Sequence, residues 1–323
     1  MYYSRTEKMF DTIRGYLEIK PMHRQRLGDL IENSIVTKLD NGFRATTHVD
    51  NFKVIVRLDS NGNPFKLSFY GSLTKLYYGN NIQYLNRRDT LHAINLLSKK
   101  IGVPIKGAVL TRVDFGLNVE LDYPVHQYTN SILSYPRMEW MRLSSSVTFF
   151  TRYGSKSLIF YDKIKETKNN SKETYFLLSR DSRNKNVIRY ELRFSKRIKN
   201  RFDVEQLKVR HLYKKRIRDE AKRHLLVNYN KVVKSSFGKN PTHLLNVHNG
   251  GLRFLSYHGI KAMGYNHFEQ IISQFNFGTK NDSSKRSKMK STIKDIILIA
   301  NENSLDSDLI GELDQKIYQL TSV

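Results

Sequence analysis

A tyrosine and a lysine two residues apart, Tyr161 and Lys163, close an apolar run that begins at Leu158. Read with the two-residue period of a strand, Leu158 and Phe160 point one way while Tyr161 and Lys163 point the other. Arg189-Tyr-Glu-Leu-Arg-Phe194 repeats this design, with Tyr190, Leu192 and Phe194 opposite Arg189, Glu191 and Arg193. So does Thr111-Arg-Val-Asp-Phe-Gly-Leu117, where Val113, Phe115 and Leu117 oppose Arg112, Asp114 and Gly116. If the three segments share a sheet, a phenol, an ammonium group and two carboxylates share one surface. Such a set can cut a phosphodiester. Tyr161 supplies an oxygen for in-line attack on phosphorus, and Lys163 favours the phenolate or contacts the phosphate. Mg²⁺ or Mn²⁺, hard ions that take oxygen ligands, is the expected cofactor, with Asp114 and Glu191 as candidate ligands and Asp11 as a third. Tyr153, on the preceding strand of the same hairpin, is the reserve nucleophile.

Each of these residues also has an ordinary reading. Tyr161 is one of 19 tyrosines, most of which serve packing. Asp114 beside Arg112, and Glu191 between Arg189 and Arg193, fit ion pairs on a solvated sheet face as well as they fit metal ligation. The ten histidines form no His-x-His pair, and His243 and His248 are wrongly spaced for a zinc helix. The Gly-x-x-x-x-Gly-Lys-Ser/Thr loop of ATP-binding proteins is missing.

The 55 Lys and Arg against 30 Asp and Glu leave a formal net charge of +25, which suits a polyanionic partner, nucleic acid ahead of an anionic membrane. No apolar run approaches the roughly 20 residues of a spanning helix, and the N-terminus carries no apolar signal stretch. A cytoplasmic protein with no membrane partner is therefore expected. The lack of cysteine excludes disulfides, zinc-thiolate sites and thiol nucleophiles. The basic charge is uneven, because Glu302, Asp306, Asp308, Glu312 and Asp314 make the last residues acidic.

The elements that must position these residues are mixed. Phe10 to Ile19 reads as a strand ended by Pro21, and Arg24 to Ile31 as a short helix. Residues 52–58 and 64–70 alternate around the turn formers of 59–64, a hairpin signal. Asp89 is placed to cap a helix with apolar Leu91, Ile94, Leu97 and Ile101, closed by Gly102. Residues 147–153 and 157–163 read as a second hairpin, joined by a polar, exposed connection to the strand at 187–194. Helices are expected at 205–232, 252–275 and 289–301 and near the end, with 279–290 as a linker and no internal repeat. In the first of these, Val209, Leu212, Tyr213, Ile217, Ala221 and Leu225 form an apolar stripe. Lys208, Arg210, Lys214, Lys215, Arg218 and Lys222 lie mostly off it and are DNA-contact candidates, together with Arg112, Arg189 and Arg193.

In order along the chain, Met9-Phe-Asp-Thr-Ile13, Phe69-Tyr-Gly-Ser-Leu73 with Tyr78-Gly-Asn-Asn81, Thr111 to Asn118, and Phe160 to Glu166 with Arg189 to Arg193 resemble the rolling-circle replication initiators of the filamentous-phage gene II type and the related Rep-trans plasmid initiators. The resemblance implies that Tyr161 nicks one strand at an origin, keeps the 5′ phosphate as a phosphotyrosine and frees a 3′ hydroxyl. It implies Asp114 and Glu191 as acids of a metal site, with Asp11 or Glu166 completing it, and origin DNA, single-stranded or hairpin, as partner. A host helicase and a second copy of the chain are further expected partners. The expected fold is α+β, a mostly antiparallel sheet with helices on one face, followed by a helical basic C-terminal region. The expected divisions are 1–200 catalytic, 201–278 basic and helical, and 279–323 linker and C-terminal helices. A non-catalytic, basic DNA-binding protein is the alternative reading.

Overall fold

The computed structural model describes residues 9–176, 178–196, 198–234, 242–278, 281–301 and 309–322. Its strands are β1 (Phe10–Glu18), β2 (Ile35–Leu39), β3 (Gly42–Val49), β4 (Phe52–Leu58), β5 (Pro64–Ser72), β6 (Val109–Leu121), β7 (Ile132–Ser134), β8 (Glu139–Leu143), β9 (Ser146–Phe150), β10 (Lys156–Asp162), β11 (Asn186–Phe194) and β12 (Val233–Lys234). The helices are α1 (Gly28–Glu32), α2 (Leu73–Tyr78), α3 (Arg87–Ile101), α4 (Val125–Ser131), α5 (Lys163–Asn170), α6 (Lys172–Phe176), α7 (Arg180–Arg183), α8 (Lys215–Tyr229), α9 (Gly250–Met263), α10 (Tyr265–Gln274), α11 (Asp282–Asn301) and α12 (Leu309–Thr321). The fold is α+β, as expected.

Ten strands form one antiparallel sheet in the order β2-β3-β4-β5-β1-β6-β11-β10-β9-β8. The order contains a duplication that the sequence does not announce. From β1 the chain goes to the edge at β2 and returns through β3, β4 and β5 to lie beside β1. From β6 it goes to the other edge at β8 and returns through β9, β10 and β11 to lie beside β6. Because β1 and β6 are antiparallel neighbours, the two halves are related by a rotation about an axis through the sheet, and both present the same face.

That face is polar, and the opposite face is the core. Val54, Val56, Phe69, Ile13, Val113, Phe115, Tyr190, Leu192, Leu158, Phe160 and Phe149 are all buried on one side, as strand alternation requires. The apolar stripe of α3 covers it with Ala93, Ile94, Leu97 and Ile101, and that of α8 with Ile217, Ala221, Leu225 and Tyr229. The Tyr190 hydroxyl donates to the Leu225 carbonyl and ties the sheet to α8.

Local sequence accounts for most boundaries. The α3 helix starts one turn earlier than Asp89: Asn86 is the N-cap and Asp89 is the third residue of a reciprocal capping box. No apolar alternation marks the β2–β3 hairpin in the sequence, because β2 is an edge strand with every residue exposed. Its turn requires Gly42, at φ +111°, where a Cβ would lie 2.2 Å from the Leu58 carbonyl oxygen. The helix expected over 252–275 is broken at Gly264 (φ +83°) into α9 and α10. Of the expected linker 279–290, residues 279 and 280 lie outside the described residues and 282–290 are the first half of α11, and the polar connection after β10 contains α5, α6 and α7.

No edge of the core falls at residue 200. Val209, Leu212 and α8 belong to the same cluster as the sheet, and so do Leu313 and Ile317 of α12. Glu312 accepts hydrogen bonds from the Tyr128 hydroxyl and the Asp122 amide, and Asp314 accepts from Tyr229 and Lys234, so the acidic C-terminal helix is fastened to the body by its own acids. The helices α9, α10 and α11 instead contribute to two smaller clusters, one around Ile260, Tyr265 and Ile293 that also takes in Leu133 of β7, and one around Leu244, Tyr257 and Ile296. Among the described residues no helix is long and apolar enough to cross a membrane. Ile317→Ala should lower unfolding free energy by about 2–5 kcal/mol, the usual cost of such a core cavity. Urea denaturation measures this, and an unchanged midpoint would show that α12 does not support the core.

Candidate active site

On the polar face, the register aligns Tyr161 with Arg189 and Arg189 with Asn118, then Glu191 with Gly116 and Arg193 with Asp114. A side chain at 116 is not allowed here, because a Cβ would come within 2.6 Å of the Tyr190 carbonyl and 3.0 Å of the Glu191 side chain. The irregularity in β1 between Phe10 and Ile13 adds Asp11 to this face.

Arg189 is the hub. Its side chain is 1% exposed. Nε donates to Glu191 Oε1 at 2.5 Å, Nη2 to Asp11 Oδ2 at 2.9 Å, and Nη1 to Asn118 Oδ1 at 3.1 Å. Asp11 also accepts from the Ser72 hydroxyl. The Tyr161 hydroxyl donates to the same Glu191 Oε1 at 3.0 Å, and its ring is only partly buried. Lys163 is fully buried beneath the tyrosine, its Nζ 5.8 Å from the ring centroid. It does not continue the strand as expected: β10 ends at Asp162, which caps α5, and Lys163 is the first helical residue. Its ammonium donates to Asn81 Oδ1 at 2.8 Å and to Glu166 Oε2 at 2.7 Å.

Burial sets the protonation states. It pushes the Tyr161 phenol well above its ordinary value, against the pull of Arg189. It also raises Asp11, where the nearby Glu191 charge adds to the effect. Glu191 goes the other way. Burial opposes its charge, but Arg189 and the hydrogen bonds from Arg189 and Tyr161 outweigh burial and hold the carboxylate below its usual range. Lys163 is lowered by burial and by Arg189, with Glu166 restoring part of the shift. The phenol is thus neutral at physiological pH and bonded to an ionised carboxylate.

Several expected members lie elsewhere or have other partners. Asp114 is level with Ser157 rather than Tyr161, four residues and about 13 Å along β6 from Asn118. Both of its oxygens bond Arg112, at 2.9 and 2.5 Å, and one also takes Arg193 at 3.0 Å, so Asp114 sits in an ion-pair cluster of its own, buried rather than on a solvated face. Tyr153 is not on a strand but in the turn at the far end of the hairpin, 76% exposed. Arg189 and Arg218 cannot reach DNA, because both are buried; Arg218 donates to Thr90 and Leu85 and lies over the Phe10 ring. Arg210, Lys214 and Lys215 are exposed, and Lys208 and Lys222 partly so. Lys215 and Lys222 belong to α8, on the core side of the sheet away from Tyr161, whereas Lys208 bridges Val109, the partner of Tyr16, and so lies on the tyrosine's face. Besides the buried Arg189, Arg112 and Arg193 also share the tyrosine's face. Asn81, Asn118, Ser72 and the partly buried Tyr84, whose ring lies beside Arg189, also belong to the cluster. Their signal was present, since three of them fall inside the ordered motifs.

The carboxylates do not fit a divalent ion as they are placed. Asp11 and Glu191 have the right oxygen chemistry, yet the Arg189 guanidinium already stands between them. Asp114 is shared by two arginines. No group of three His, Cys, Asp or Glu side chains suited to a metal occurs among the described residues.

The sequence pattern of a phage family, described as the N-terminal part of the replication-associated gene II protein, matches residues 9–216, from the start of β1 into α8. The chain belongs to this family of phage replication-associated proteins. No curated protein sequence matches it.

Removing the hub should be costly. Arg189→Met leaves two buried acids without their partner and should destabilise the protein by about 3–5 kcal/mol. Mn²⁺ should restore part of that loss in the variant, because the freed acids can take a cation, and should add little to the wild type. Equal stabilisation of both proteins by Mn²⁺ in urea titrations would show that the cation position is not already filled.

Proposed function

We propose that the chain is a DNA-nicking and strand-joining enzyme in which Tyr161 is the nucleophile. The observation that carries this reading is the hydrogen bond from the Tyr161 hydroxyl to a carboxylate held ionised by a buried arginine, on the open face of a replication-associated fold. The phenolic oxygen attacks phosphorus while the P–O3′ bond breaks. The phenolic proton passes to Glu191, and the departing O3′ takes a proton from water. The product is a 5′ phosphotyrosine and a free 3′ hydroxyl. A 3′ hydroxyl attacking the phosphotyrosine reverses the step, restores Tyr161 and needs no ATP, because one ester is exchanged for another.

Each neighbour has a role in this scheme. Glu191 is the general base, oriented by Arg189. Lys163, 5.8 Å from the ring, stabilises the charge that develops on the phenolic oxygen and the phosphate, while Asn81 and Glu166 hold it in place. Arg193 and Arg112 lie farther along the same face and suit the phosphates of the bound strand. Mg²⁺ or Mn²⁺, expected from the family resemblance, would first have to displace Arg189 from Asp11 and Glu191, so no step is assigned to it.

Tyr161→Phe should bind an origin strand and form no covalent adduct, as read by denaturing gel electrophoresis with a labelled oligonucleotide. An adduct that persists in this variant would exclude Tyr161, and cleavage without any adduct in the wild type would favour a water-using nuclease. With Glu191 ionised across the range, the adduct-forming rate should be nearly level between about pH 6 and 9, falling only in acid, where Glu191 gains a proton. Glu191→Gln should be slower by roughly 10²–10⁴ and should speed up as pH rises, because the phenol must then ionise unaided. A wild-type rate that climbs steadily with pH would remove Glu191 as base.

A further inference from the structure

The half of the sheet without the tyrosine has a surface of its own. In the register, Arg14 of β1 lies between Tyr70 of β5 and Arg112 of β6. Both guanidinium groups rest against the Tyr70 ring, at 5.0 and 5.1 Å from its centroid. Next along, the Lys66 ammonium lies 4.3 Å from the Tyr16 ring. Towards the edge, Lys53 is level with Tyr70, Arg57 with Lys66, and Arg44 with Arg57. Arg14, Arg44, Lys53 and Arg57 are exposed, and Lys66, Tyr16 and Tyr70 partly so.

This arrangement is unfavourable for an isolated protein. Like charges directly opposite one another on neighbouring strands repel, yet Arg44, Arg57 and Lys66 form such a row across three strands, and Arg14 faces Arg112. Arg14, Arg44, Lys53, Arg57 and Lys66 have no salt-bridge partner among the described residues. The acids on this surface among the described strand residues are Glu18, level with Lys66, Asp11, already paired with Arg189, and Asp114, already shared by Arg112 and Arg193. A polyanion supplies the missing negative charge. The rings and guanidinium planes interleaved with the cations further suit unpaired bases, which expose a face for stacking that a duplex hides.

We propose that this surface is a track for single-stranded DNA, continuous with the phosphate position at Tyr161. Arg193 and Arg112 join the two, and the path from β10 across β11, β6 and β1 to β5 spans about 19 Å. Phosphates sit on Arg14, Lys66, Arg57 and Lys53, and bases stack on the platform made by Tyr70 with its two arginines and on Tyr16. The continuity with a nicked strand rests on the function proposed for Tyr161; the binding itself does not.

Fluorescence anisotropy of the full chain with labelled oligothymidylate, without divalent ions and across a salt series, tests the track. Tyr70→Ala should weaken binding by about tenfold, the scale of one lost stacking contact, while Tyr70→Phe stays close to wild type and guards against a folding artefact. The Arg57→Ala, Lys66→Ala double variant should flatten the slope of log K against log salt by about 0.7 for each lost phosphate contact. Unchanged affinity and slope in these variants would overturn the proposal, as would an equal loss for a duplex probe, which would make the surface a general phosphate binder. Binding through this surface by a chain that forms no adduct would remove the nicking function alone. Adduct formation by the wild type, with unaltered binding in the variants, would remove the track alone.

Discussion

A guanidinium group with almost no contact with water has to be neutralised where it lies, and Arg189 is neutralised by two carboxylates that come from different parts of the chain. Asp11 arrives through an irregularity in β1, and Glu191 lies two residues along the same strand as the arginine. Neither acid is stable there without the arginine, because an unpaired buried charge is far more costly than a paired one. The pairing also divides the labour between the acids. Glu191, with two bonds to its Oε1, stays ionised, while burial and the Glu191 charge push Asp11 towards the neutral form against the pull of Arg189. The acid that contacts Tyr161 is therefore the one able to accept its proton.

The rest of the site is built outward from this cluster. Asn118 and the Asn81 backbone complete the arginine's bonds, and the Asn81 side chain reaches on to Lys163. The segment after α2 thereby links the first half of the sheet to β10 and β11 of the second. Lys163 gains its position from a helix start rather than a strand, with Asp162 capping α5 and turning the chain just after the tyrosine. The phenol stays partly open to solvent while its lysine is fully buried. Under the proposed reaction the phenol needs access to the strand, whereas a charge that acts through space works better with little water near it.

The duplicated strand order explains how one face can carry two kinds of chemistry. Both halves present the same face because the central strands are antiparallel, and each half is backed by a helix of its own, α3 for the first and α8 for the second. The second half has invested its face in a paired, partly buried cluster. The first half has left its cations unpaired and exposed. Helix α12 packs behind the sheet, so its acids Glu312 and Asp314 lie away from both.

Strand alternation made the faces legible from sequence: the apolar sides of residues 111–117, 158–163 and 189–194 and the shared polar side with Tyr161 and Glu191 follow from residue order, because backbone geometry alone sends neighbouring side chains to opposite faces. The amphipathic stripes of α3 and α8 were legible for the same reason. Register was not, since nothing local says that Asn118 rather than Asp114 stands level with Tyr161, and a diagonal step decides which acid meets which arginine. The irregularity that delivers Asp11, the burial that turns Arg189 and Arg218 from DNA contacts into internal partners, and the duplication of the strand order exist only once distant segments pair. Residue types set what chemistry was available, and long-range pairing decided which groups came within reach of one another.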